Sequence, residues 1–341
     1  MGALIGIWNR VLAWALQRRL IRSLLLYSES NGPVLAASVT YRALFALFAA
    51  VLLGFSAAAI WLSGRPELWN ALVAGVDNVI PGLIGDGGVI DASELQEAPG
   101  AITVAGVIAV VALVGAAIGA ITTLRTAIRV MAGTENATTS PILLALRDLL
   151  FALAVGVLLL ASVVVTFLGS AFVTTVLDWV GLGSDLTAAV VTRLVTIAVT
   201  FALDAVIIAL LFALLSGTRA SLRALAAGSL VGAAGLVVLQ QLSGLFVGGA
   251  DSNPLLTSFA SLIALLLWLN FSAQVILIAC AHVITTMAEE RDRVGERYGA
   301  TTLAQRKVRS AEREVRIATA ALRTAREQES AEREANAARE A

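Results

Sequence analysis

The chain has 341 residues, of which 58% are hydrophobic and only 14% charged, with a formal net charge of zero. A soluble domain is nearer half apolar and a quarter charged, so a soluble enzyme, a secreted disulfide scaffold and a disordered chain are all excluded. The charge is also unevenly placed, because 23 of the 48 charged residues lie between Glu289 and Ala341. Mean hydropathy is +0.87. The single cysteine, Cys280, permits no intrachain disulfide, and the single histidine, His282, removes most sites that need several imidazoles. A net charge of zero leaves no basic field for nucleic acid to follow.

Residues 1–33 place Ile5, Trp8, Leu12, Ala15, Leu16 and Leu20 against Arg10, Gln17, Arg18 and Arg22. The apolar run is too short and too interrupted to span a membrane or to act as a cleaved signal. It predicts a helix lying on the cytoplasmic interface or packed on that face of a bundle.

A bilayer span takes about 20 mostly apolar residues. Six segments meet that: Val34–Leu62, Ile102–Leu124, Leu143–Phe172, Ala188–Leu215, Leu222–Phe246 and Phe259–Met287. Ser140-Pro141 and Ser184-Asp185 read as openings of spans three and four, and Asn253-Pro254 as the close of the loop before span six. The predicted fold is therefore all-α and polytopic. A six-helix membrane domain (34–288) sits between the N-terminal interfacial helix (1–33) and a charged helical tail (289–341).

Basic residues orient the spans. Arg10, Arg18, Arg19 and Arg22 precede span one; Arg125, Arg129 and Arg147 flank the loop between spans two and three; Arg219 and Arg223 flank the loop between four and five. The tail adds twelve more. The alternate loops are acidic, with Asp77, Asp86, Asp91, Glu94 and Glu97 in the first, Asp178 and Asp185 in the second and Asp251 in the third. Only Arg65 and Arg193 dissent. Both termini are expected in the cytoplasm.

The long outer loop, 63–101, opens with Leu68, Leu72, Val76, Val79 and Ile80 at helical spacing beside Trp61 and Trp69, which predicts an interfacial helix ended by Pro81-Gly82. In the tail, Val308, Ala311, Val315, Ala318, Leu322 and Ala325 alternate at spacings of three and four. That fits a short oligomerisation seam or simply a solvated mixed-charge helix.

Ionisable groups inside hydrocarbon are costly and mark pathways or pairs. Arg42 in span one and Asp204 in span four fall at similar depths and form a candidate intramembrane pair. Snorkelling to the interface is the other reading of Arg42. Asn270 and Gln274 in span six share a helix face, and Gln240 and Gln241 lie toward the outer side of span five. These amides either glue helices or line a polar path with Arg42 and Asp204. Gly115 with Gly119, and Gly228 with Gly232 and Gly235, predict close helix crossings. His282 and Cys280 read as packed residues. The outer acidic loop lacks calcium-loop spacing, and Asn136-Ala-Thr lies on the wrong side for glycosylation. No P-loop, GxSxG, HExxH or dinucleotide fingerprint is present. No catalytic residue, metal ligand or cofactor is expected.

Three segments resemble the BrkB/YihY family of bacterial inner-membrane proteins. They are Ala36-Ala37-Ser38-Val39-Thr40-Tyr41-Arg42-Ala43-Leu44-Phe45-Ala46-Leu47-Phe48, the basic exit Leu124-Arg125-Thr126-Ala127-Ile128-Arg129, and Leu265-Leu266-Leu267-Trp268-Leu269-Asn270-Phe271-Ser272-Ala273-Gln274. The resemblance covers about residues 10–290. The chain departs from the family pattern at Ala49, where proline is usual, at Asn270, where an aromatic is usual, and at Ala281 and His282, near which an acid is common. The resemblance implies an inner-membrane protein associated with virulence. The ribonuclease label carried by many members finds no carboxylate or histidine cluster on a basic groove here. The expected function is movement of a lipid-like or amphipathic envelope molecule, with the bilayer and a lipid-like substrate as partners. A non-transporting envelope scaffold is the alternative, and self-association through helix packing or the tail is compatible with either.

Overall fold

The computed structural model describes residues 13–61, 104–134, 146–157, 185–242, 254–300 and 302–340, with the isolated positions 67, 70 and 144. Every regular element among them is an α-helix: α1 (Arg19–Glu29), α2 (Gly32–Trp61), α3 (Val104–Ala132), α4 (Asp185–Leu215), α5 (Leu222–Leu242), α6 (Pro254–Arg291), α7 (Arg293–Tyr298) and α8 (Leu303–Glu340). A further helical stretch covers 146–157. Apolar stretches long enough to cross a membrane occur at Gly32–Val51, Val110–Ala132, Arg193–Leu215, Leu222–Leu242 and Leu262–Arg291. The chain is a polytopic all-α membrane protein. The predicted third span enters this description at 146–157. Its remainder, apart from residue 144, lies outside the described residues, as do the first twelve residues, the Asn136 sequon, the loop acids other than Asp185, which opens α4, and, apart from Glu67 and Asn70, the outer-loop helix.

Local chemistry sets several helix ends. Asn31 takes a left-handed backbone (φ 55°) between α1 and α2, a conformation that asparagine tolerates better than most residues. Gly133 (φ 64°) closes α3, with Thr134 N–H donating to Arg129 O at 3.1 Å. That six-residue closure is the usual glycine termination. Ser221 Oγ caps α5 by accepting from Ala224 N at 3.1 Å, and Asp292 Oδ1 caps α7 by accepting from Gly295 N at 2.9 Å. Thr302 and Gln305 bond each other's backbone N–H at the start of α8, a reciprocal cap. Pro254 opens α6, where its missing N–H costs nothing.

α3 and α4 finish at the same end of the bundle, since Thr134 Oγ1 donates to Ser216 O at 2.9 Å and Arg129 Nε to Leu215 O at 3.2 Å. We call this the near end. α1 and the start of α8 also lie there, joined by Arg306 and Glu29 at 2.7 Å.

α6 is the central helix, packed against α5, α1 and α2; α4 packs on α5, and α2 on α3. The core holds Ile128, Ile208, Phe212, Leu215, Leu265 and Leu277, all essentially inaccessible. Small residues let these helices approach. A Cβ on Gly228 would collide with Val283 Cγ2 and lie 2.8 Å from Ala279 O, and one on Gly232 would lie 2.5 Å from Ile208 Cδ1. Around Gly115, by contrast, nothing comes within 4 Å. The two similar glycine motifs are therefore unequal. Gly228→Ala should cost about 1–3 kcal/mol through overpacking against backbone. Gly115→Ala should be neutral or gain up to about 1 kcal/mol from helix propensity. Unfolding both variants in the same detergent mixture checks the contrast.

The N-terminal region is not one helix. It breaks at Gln17-Arg18, and α1 then packs on α6 while Leu20 and Leu24 face outward. Arg22, expected on a solvated polar face, is buried at 2% exposure because α6 supplies a counter-charge. The tail holds the end of α6, then α7, and is one continuous helix only from Leu303 to Glu340. Its seam residues Val308, Val315 and Leu322 are exposed, while Arg306, Ser310 and Ile317 on another face turn toward the bundle. Ile317 Cδ1 would lie 2.5 Å from a Cβ at Gly133.

Candidate functional site

The four singled-out polar residues fall into three places. Asn270 and Gln274, one turn apart on α6, join directly: Gln274 Nε2 donates to Asn270 Oδ1 at 2.6 Å. Asn270 Nδ2 donates in turn to Thr40 Oγ1 of α2 at 3.3 Å, and Thr40 donates back to Ala36 O at 2.8 Å. This relay ties α6 to α2 and satisfies groups that would otherwise be orphaned in apolar surroundings. Thr40 is buried, while Asn270 and Gln274 are half-buried.

Asp204, half-buried on α4, does not meet Arg42. It accepts from Gln240 Nε2 of α5 at 3.4 Å. Arg42 forms no ion pair and no hydrogen bond among the described residues. Its guanidinium leans on α3, where a Cβ at Gly119 would lie 2.9 Å from Nη1. Gly119 is thirteen residues from the near end of α3 at Ala132, which at 1.5 Å per residue is about 20 Å. The side chain therefore reaches across to α3 rather than climbing to the interface. Arg42 is exposed, and with Ser38, Tyr41, Phe45 and Ala116 it lines a groove of about 590 Å³. The Tyr41 and Phe45 rings meet edge to face at 5.0 Å.

Stronger electrostatics occur at the near end. Asp148, fully buried, accepts from Arg125 Nη1 at 2.7 Å and from Thr122 Oγ1 at 2.8 Å. Arg129 and Arg147 donate to the final carbonyls of α4, Leu215 O and Leu214 O, where a helix leaves acceptors unpaired and carries partial negative charge. On the other side, Glu289 of α6 is held by Arg22 and Arg19 of α1. Beside it Ser23 Oγ bonds His282 Nδ1 at 2.9 Å. Arg22 also donates to Glu296 O, while Arg306 of α8 donates to Arg22 O at 3.2 Å and to Glu29. α1, α6, α7 and α8 thus share one polar network.

Sequence reasoning misses these near-end pairs. In the sequence, Arg125, Arg129 and Arg147 mark orientation, the first two also within the family-like segment, Glu289 counts with the tail, and Asp148 attracts no notice. A usable signal exists. Asp148 stands six residues into the third apolar segment and Arg125 lies at the end of the second, both near the loop that joins them. Among the described residues no group of three His, Cys, Asp or Glu side chains converges as a metal site would need.

The architecture defines an integral membrane protein built from apolar helices, with most of the ion pairs among the described residues at one end of the bundle or along the tail. The chain belongs to the family described as virulence factor BrkB, whose model matches residues 25–304. The match ends where α8 begins, so nearly all of that helix lies outside it. No curated protein and no solved structure matches the chain.

Proposed function

We propose that this membrane protein moves, or helps to move, an amphipathic lipid-like molecule between leaflets of the plasma membrane. The observation that carries the reading is Arg42. It is a permanent cation about ten residues into α2, exposed in a groove whose volume lies in the range of small-molecule sites. A charged group at such depth is expensive and marks a pathway by default. The amides Asn270 and Gln274 do not line this groove; they form a separate polar link from α6 to Thr40 of α2.

Orientation belongs to the same proposal. Arg19, Arg22, Arg125, Arg129 and Arg147 gather at the near end, and basic residues collect on the cytoplasmic side. The protein is taken to be no enzyme, because the near-end carboxylates Asp148 and Glu289 are committed to arginines. A scaffold role is the second reading. It is favoured by the Asp204–Gln240 and Thr40–Asn270 bonds, which join helices as structural amides do.

Reconstitution separates the two. Purified protein in liposomes with leaflet-specific fluorescent lipids should accelerate exchange over empty liposomes, and Asp204→Asn should alter the rate if that helix takes part. Exchange no faster than in protein-free liposomes, across neutral and anionic lipids alike, leaves the scaffold.

A further inference from the structure

Arg42 poses an electrostatic problem that the described residues of the bundle do not solve. Its guanidinium is always charged. Among the described residues, the carboxylates within the bundle nearest in depth are otherwise engaged. Asp148 is bound by Arg125 and Thr122, and Asp204 accepts from Gln240. α2 is thirty residues long, about 45 Å, whereas the hydrocarbon core is about 30 Å thick. If the helix is centred, Arg42 lies roughly 7 Å inside the hydrocarbon on the near side. The side chain does not escape to water, because it leans on Gly119 of the adjacent helix, where the missing Cβ leaves room for it.

The groove around it is of two kinds. Arg42 and the Ser38 hydroxyl are polar, while Phe45, Ala116 and the ring of Tyr41 are apolar. Tyr41 and Phe45 are themselves 65% and 53% exposed, so the apolar wall opens outward, toward acyl chains in a membrane. A guanidinium presents a fork of donors that matches the oxygens of a phosphate. A ligand with a phosphate at one end and hydrocarbon at the other satisfies both halves at once.

We propose that the α2–α3 groove at Arg42 is a binding site for the phosphate headgroup of an anionic phospholipid drawn from the near-side leaflet. Arg42 supplies the charge, Gly119 the space for the guanidinium, and Tyr41 with Phe45 the wall for the chains. The proposal deepens the lipid-handling reading by naming the class of cargo, but binding is measured separately from movement.

The test titrates the full-length protein in neutral-detergent micelles with phosphatidylglycerol, with phosphatidylcholine and with inorganic phosphate, reading bound lipid by native mass spectrometry. Wild type should retain phosphatidylglycerol at least tenfold more tightly than phosphatidylcholine, and inorganic phosphate should not compete at millimolar levels. Arg42→Gln should remove that preference, and Arg42→Lys should keep part of it. Gly119→Leu, which keeps the charge but fills its resting place, should weaken the preference too, and it serves if Arg42→Gln does not fold. Arg193→Gln, on α4 and bonded to Gln241, should change nothing. Equal retention of the two lipids by wild type, or an unchanged preference in the folded Arg42 and Gly119 variants, overturns the site. Competition by inorganic phosphate at the lipid's own affinity overturns the lipid assignment. Preference without leaflet exchange removes only the transport reading, and exchange without preference removes only this one.

Discussion

Asp148→Ala should destabilise the protein by about 3–5 kcal/mol, the usual cost of leaving one member of a buried ion pair alone. The carboxylate is fully buried and Arg125 nearly so, at 0% and 9% side-chain exposure. Removing it leaves the buried guanidinium without its counter-charge, and takes the acceptor from Thr122 as well. Arg125→Ala should cost a similar amount for the converse reason. The pair need not be worth that much in itself, since desolvation offsets much of the attraction between two buried charges. The double variant Arg125→Met with Asp148→Leu should therefore recover most of the loss. Unfolding in detergent mixtures, run as a double-mutant cycle, measures the coupling. Single variants as stable as wild type would show that water reaches the pair.

The second large effect centres on Glu289. Glu289→Ala leaves Arg22, 3% exposed, without its counter-charge, and a loss of about 3–5 kcal/mol is again expected. The consequence should spread further than for Asp148. Arg22 also donates to Glu296 O, and its own carbonyl accepts from Arg306, so α1, α7 and α8 all lean on the same arginine. Amide exchange across the first turns of α8 should accelerate together with that of α1. Glu29→Ala makes a sharp comparison. Its pair with Arg306 is partly solvated, at 22% and 13% exposure, and should contribute only about 1 kcal/mol. That variant should loosen α8 while leaving α1 seated. Fast exchange confined to α8 in the Glu289 variant would mean that α1 is held by its apolar contacts alone.

The polar residues singled out from the sequence are identified by depth, and depth is only one coordinate. Counting residues from a span end places Arg42 and Asp204 at similar heights, but height says nothing about which helices are neighbours. α6 stands at the centre and takes α2 and α5 on its flanks, and the carboxylate finds Gln240 on α5 instead. The link between Asn270 and Gln274 is legible because residues four apart on a helix share a face. Its continuation to Thr40 is not, because threonine in an apolar segment looks like any small residue until a partner helix arrives. The tail shows the same limit. Its heptad seam is real as a pattern, yet Val308, Val315 and Leu322 stay exposed, and the docked face is the one bearing Arg306 and Ser310, because Glu29 lies within reach of it.

By itself the sequence determined only those features that one-dimensional physics dictates. Apolar runs longer than a bilayer is thick must be spanning helices, because backbone groups in hydrocarbon bond only within the helix. The six apolar segments and the charged tail come from that rule, and five of the segments coincide with described helices long and apolar enough to cross a membrane. Family membership is legible too, through the motifs around Arg42, Arg125 and Asn270. Only the tertiary structure decided the pairings: Arg125 with Asp148, Arg22 with Glu289, Asp204 with Gln240, and Arg42 with no protein partner among the described residues. The physical reason is that a charge in an apolar bundle is stabilised by whatever lies within a few ångströms, and that distance is set by helix crossings such as those at Gly119 and Gly228. An arginine counted along the chain marks a side of the membrane. Once placed in the bundle, it is paired with a buried carboxylate at Arg22 and Arg125 and lines an open groove at Arg42.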